Sequence, residues 1–148
     1  MEGDWIREHG LSGRLKTELL HVNSLVKTQE HFNFNSIRQI EDPSESNAYL
    51  HAHFSASMTR VFGIVEAKKF LDAHEMYTPG ITFLTDKSTI MDLYNNMIGM
   101  ALVTAAYNEG KTTGEIISTA LQQGLLITSL DDPRIEKYRK FFSDKCRK

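Results

Sequence analysis

One cysteine, Cys146, occurs in 148 residues, and that scarcity removes two classes of structure. Neither an intramolecular disulfide nor a zinc site built on several thiolates is available to the chain. The three prolines, Pro43, Pro79 and Pro133, fall where connections are expected and leave helix-sized pieces between them. No charge sign dominates. Seventeen Lys and Arg stand against nineteen Asp and Glu, which disfavours nucleic acid or an anionic membrane as partner. The basic residues from Arg134 to Lys148 are interrupted by Glu136 and Asp144 and read as a solvated last helix. Met1 to Arg14 is charged throughout and lacks the apolar run of a signal peptide, so general secretion is not expected. A soluble chain follows, kept in the producer's cytoplasm or delivered by a dedicated secretion system. Leu93 to Asn108, the longest uncharged stretch, is too short for a transmembrane segment.

What is present is helical periodicity. Leu15, Leu19, Leu20, Val22 and Val26 recur at near three- and four-residue spacing over Leu15–Gln29, which predicts an amphipathic helix with those residues inward. Phe32 to Asp42 reads as an extended or irregular connector. Ser44 or Ser46 then caps a helix to about Arg60, and Gly63 turns the chain. A third helix runs from Ile64 to about Met76 with Ala67, Phe70 and Leu71 on its inner face, followed by a loop over Thr78–Lys87. Ser88 or Thr89 opens a long helix through Tyr107. Thr112 and Glu115 form a capping box for a helix to Gln123, and Leu125–Ile127 is a short extended run. Asp132-Pro133 starts a last helix with Ile135, Tyr138, Phe141 and Phe142 inward. The prediction is a single all-α domain over 1–148, a bundle of about six helices around one central buried helix. A βαβ pattern, and the nucleotide-binding architectures built on it, are absent.

That central helix carries the informative residues. Asp92 is its only charged group between Ser88 and Asn108, and Asp92, Asn95, Asn96 and Gly99 fall at i, i+3, i+4 and i+7, forming a polar stripe on an otherwise apolar element. A buried, unpaired carboxylate costs several kcal/mol, so this stripe needs partners or a cleft. Either it caps neighbouring structure, or it floors a pocket to which Gly99 admits another backbone. Two histidines favour the pocket. His51 lies on a line with Asn47 and Ser55, while His53 points elsewhere, and His74, followed by Glu75, sits on the core-facing side of its helix. A neutral imidazole held by a carboxylate activates water as a general base. Alternatively His51, His74 and Asp92 bind a divalent metal, with Glu75 pointing outward or supporting an imidazole. The two schemes share the catalytic candidates His51, His74 and Asp92, with Asn95, Asn96, Glu75 and Asn47 binding substrate.

The strings Asn47-Ala-Tyr-Leu-His51, Ala73-His74-Glu75 and Met91-Asp92-Leu-Tyr-Asn95-Asn96, closed by Gly99, resemble the core of an uncharacterised domain at the C-termini of bacterial wall-associated polymorphic toxins. The resemblance covers about Asn47 to Leu126 and implies a toxin-like effector hydrolase with a cognate immunity protein as partner. Asn47, Leu50 and Met100 stand where that family often carries Asp, Arg and Arg. A non-enzymatic partner-binding or immunity-type module, with a purely structural polar stripe, is the rival reading.

Overall fold

The computed structural model describes residues 2–76, 86–105 and 108–146. Six helices make up the bundle, α1 (Glu2–His31), α2 (Glu45–Phe62), α3 (Ile64–Met76), α4 (Lys87–Thr104), α5 (Thr113–Gln122) and α6 (Arg134–Cys146), and no strand occurs among the described residues. No described helix is long and apolar enough to cross a membrane. The short connector between α1 and α2 contains a single 3-10 turn, Ile37–Gln39, closed by a Ser36/Gln39 capping box that the sequence reading missed.

α2 is the hub, packing on α1, α3, α4 and α5. Ser44 caps it, and Ala48, Ala52 and Ala56 give it a flat, fully buried face. The approach of α4 to that face is set by Gly99. A Cβ there would lie 2.2 Å from the Ala52 carbonyl oxygen and 2.3 Å from Ser55 Oγ, so only glycine lets the two backbones meet. The start of α4 is capped by Asp86, whose carboxylate accepts from the Ser88 and Thr89 amides; Ser88 and Thr89 themselves are inside the helix. α4 ends at Thr104, and Tyr107, the expected end, lies outside the described residues, as does 78–85 of the expected loop. The Thr112/Glu115 box opens α5 as expected.

Two faces depart from expectation. α1 begins well before Leu15, bends at Gly10 (φ 64°), and turns Leu15, Leu19, Val22 and Val26 to solvent. Of the expected inner residues only Leu20 packs on the core, beside Trp5, and the rest of the inner face is Gly13, Thr17, Ser24 and Thr28, small residues whose hydroxyls donate to the carbonyls of Gly13, Leu20 and Ser24 in their own helix. Such a face allows close helix packing without leaving a polar group unpaired. In α6, Ile135 is buried but Phe141 is exposed, and the Phe142 side chain lies outside the described residues.

Candidate functional site

Three helices each lend one ionisable side chain to a single cluster. On α3, Ala67 and Leu71 are buried one turn apart, and the next step of four brings Glu75 to the same inward line. His74 instead continues the line of Phe70, stacks on that ring at 6.1 Å, and is exposed. This reverses the expected orientation: adjacent helical residues diverge by about 100°, and it is the carboxylate that turns inward.

His51 of α2 is held from both sides. Its Nδ1 lies 3.2 Å from Glu75 Oε1 and its Nε2 lies 3.4 Å from Asp92 Oδ1 on α4. The amides fix the carboxylates: Asn96 Nδ2 donates to Glu75 Oε1 at 3.0 Å, and Asn47 Nδ2 donates to Asp92 Oδ1 at 3.2 Å. Asn47 Nδ2 also donates to Asp42 Oδ1, while Ser88 Oγ donates to Asp42 Oδ2 at 2.7 Å, so a third carboxylate stands behind the cluster. An aspartate in place of Asn47 would put yet another anion between two carboxylates, where an amide donates to both.

Burial alone would depress the basicity of His51, but the hydrogen bond to Glu75 and the charges of Asp92, Glu75 and Asp42 outweigh it and lift its pKa to about 9. Burial raises Asp92 to about 7, with the His51 charge opposing and the charges of Glu75, Asp42 and Asp86 adding to the rise. Burial also acts to raise Glu75, yet His51, the charge of His74 and the Asn96 amide hold it below the usual glutamate value. At neutral pH the cluster is therefore an imidazolium between an ionised Glu75 and an Asp92 near its midpoint.

A pocket of about 180 Å³ opens onto one side of this clamp, lined by Thr17, Glu18 and His21 of α1, Leu50, His51 and Phe54 of α2, and Phe70, His74 and Glu75 of α3. His21 is exposed and borders that wall. Burial and the charges of His74 and His51 push its pKa down. His53 faces away from the pocket and meets Ser24 Oγ at 2.9 Å; burial and the charges of Lys27 and Arg60 lower it to about 4.

A family model described as Domain of unknown function (DUF6973) matches residues 14–126. The chain belongs to this family. The DUF6973 region takes in the whole cluster and every residue lining the pocket, and it stops one residue before Ile127. No curated protein and no solved structure matches the chain.

Of the residues singled out from sequence, His51, Glu75, Asp92, Asn96 and Asn47 come together. His74 lies on the pocket wall rather than in the clamp. Asn95 does not reach the site: fully buried, its Nδ2 donates to the Ile127 carbonyl and its Oδ1 accepts from the Ile127 amide, both at 2.9 Å. Substrate binding is thus replaced by a structural role, pinning the 125–127 run to α4. The expected metal trio of His51, His74 and Asp92 changes in the same way. Here the side chains whose ligand atoms lie within 4.8 Å of one another are His51, Glu75 and Asp92, as those of Glu8, His9 and Glu66 do elsewhere, and since both His51 ring nitrogens face carboxylates an ion would have to displace one of them. Asp42 and His21 were missed. Asp42 sits in an irregular connector with no periodicity to place it, and His21 borders the pocket only because α1 is turned opposite to its apolar pattern.

Proposed function

We propose that the chain is a bacterial toxin-like effector hydrolase whose reaction is run by Glu75 and His51, with Asp92 holding the imidazole from behind. One observation carries the reading: an imidazole is gripped at both nitrogens by carboxylates from two other helices, at the wall of a pocket that two members of the trio share. Opposed acid and base groups fixed side by side next to a cavity are what general acid–base hydrolysis requires.

In this scheme Glu75, ionised and oriented by Asn96, takes a proton from water as the water oxygen attacks the substrate. His51 supplies its Nδ1 proton to the leaving group as that group's bond to the attacked atom breaks. Glu75 then returns the proton it took from water to Nδ1 across their 3.2 Å contact, and Asp92 holds Nε2 throughout. Leu50, Phe54 and Phe70 give the pocket an apolar wall for a non-reacting part of the substrate. Leu50 stands where the resembled toxin domains often carry Arg, so this wall lacks a fixed anion clamp.

Expression in a bacterial host, first in the cytoplasm and then directed to the periplasm, tests the reading. The wild-type chain is expected to stop growth in one compartment, and Glu75→Gln or His51→Ala, checked for unchanged circular dichroism, to restore it. The macromolecule lost first names the substrate class. Equal growth with wild type and both variants in both compartments contradicts the proposal and favours an immunity-type or partner-binding module.

A further inference from the structure

Past the bend at Gly10, the outer face of α1 carries a row of aliphatic side chains. Leu11, Leu15, Leu19, Val22 and Val26 are 72%, 51%, 69%, 55% and 42% exposed, and their spacing places them within about 80° of arc on the helix. At those exposures the five side chains present roughly 500 Å² of apolar surface, the size at which a patch on a soluble protein marks an interaction surface. Helix packing among the described residues does not use them, because the opposite face carries the buried Thr17, Ser24 and Thr28, with Ser24 meeting His53 of α2.

We infer that this stripe pairs with the same stripe of a second copy, the two α1 helices lying antiparallel across a two-fold axis. Two features point to a second copy as the occupant. The stripe reads almost the same in both directions: reversing it sets Leu11 opposite Val26 and Leu15 opposite Val22, with the two Leu19 side chains flanking the axis. A self-complementary patch of this kind is what a two-fold interface needs. Two copies face to face cover roughly 1,000 Å², where specific interfaces begin, and the aliphatic stems along the edges add to it. Along one edge Arg14 Nε binds Glu18 Oε1 at 3.0 Å in an exposed pair. Glu18 also belongs to the pocket wall, so the interface and the pocket share an edge.

Sedimentation of the full chain across a concentration series reads the outcome. The wild type is expected at twice the 16.9 kDa chain mass, and Leu15→Lys combined with Leu19→Lys at the chain mass, with helicity unchanged. Should the double variant fail to fold, Leu19→Cys in a Cys146→Ser background gives an independent reading, since a short bis-maleimide should join two copies through residue 19. A wild-type monomer at all concentrations overturns the inference, whether or not it floats with anionic lipid vesicles. A dimer that survives both lysines, or that shows no link through residue 19, overturns the assigned face.

Discussion

α1 and α4 both break the rule of apolar inside and polar outside, in opposite ways. α4 buries Asp92, Asn95 and Asn96, and each has a partner inside the chain: Asn47 and His51 for Asp92, Ile127 for Asn95, Glu75 for Asn96. α1 exposes a row of leucines and valines that no described side chain covers. Buried polar groups are tolerated when satisfied, and the ways in which these are satisfied separate structure from site. Asn95 spends both ends of its amide on backbone and is finished, whereas Asn96 uses only its donor, leaving Oδ1 buried without a partner among the described residues. An unused acceptor beside a carboxylate at a pocket is what the site half of the stripe has and the structural half lacks.

The largest effect that sharpens this contrast is expected at Asn95. Asn95→Ala leaves the amide and carbonyl of Ile127 buried and unpaired, and the loss should be roughly 2–6 kcal/mol by denaturant titration. Asn96→Ala should cost clearly less. Gly99→Ala comes next. Its new methyl meets the Ala52 carbonyl, a backbone atom that cannot swing aside, and overpacking of this kind costs about 1–3 kcal/mol or more. If Gly99→Ala melts with the wild type, the close α2–α4 contact is wrong.

The pH dependence tests the site itself. The folded values of His51, about 9, and Asp92, about 7, both lie above those of the unfolded chain, roughly 6.5 and 3.9. Raised groups stabilise at low pH. The contribution of Asp92 should be lost as pH climbs toward 7, and that of His51 between about 6.5 and 9. Glu75, held low, works the other way and loses its contribution on acidification below its unfolded value. Thermal midpoints should therefore fall from mildly acidic to alkaline pH, and Asp92→Asn should flatten the lower part of that fall. A midpoint that climbs steadily over the same range contradicts the clamp. The smallest effect belongs to α1, where Leu19→Ser in the dissociated chain should change stability by no more than about 0.5 kcal/mol.

Much of this was legible from the chain alone, and the failures share a cause. The α4 stripe and the His51 line are local patterns repeated at helical spacing, so they survive translation into three dimensions. The capping box at Thr112 is equally local. Periodicity reports that a face is apolar, but not what lies against it, so the apolar stripe of α1 reads as core although the buried side of that helix runs through Thr17, Ser24 and Thr28. On α3 the expected inner residues Ala67, Phe70 and Leu71 are all buried, and the departure lies at the helix end, where the step of four from Leu71 turns Glu75 inward while His74 is exposed. Asp42 reaches the cluster by a tertiary route through Asn47 and Ser88 that no spacing encodes.

The central claim is that His51 is an imidazolium clamped by Glu75 and Asp92 at neutral pH. Nitrogen-15 NMR of histidine-labelled protein, with His51→Gln used to assign the signal, measures this without knowledge of the substrate. The account predicts that both His51 ring nitrogens stay protonated through pH 7 and titrate near 9, and that Glu75→Gln lowers that value. A His51 that is a neutral single tautomer at pH 7 would contradict it.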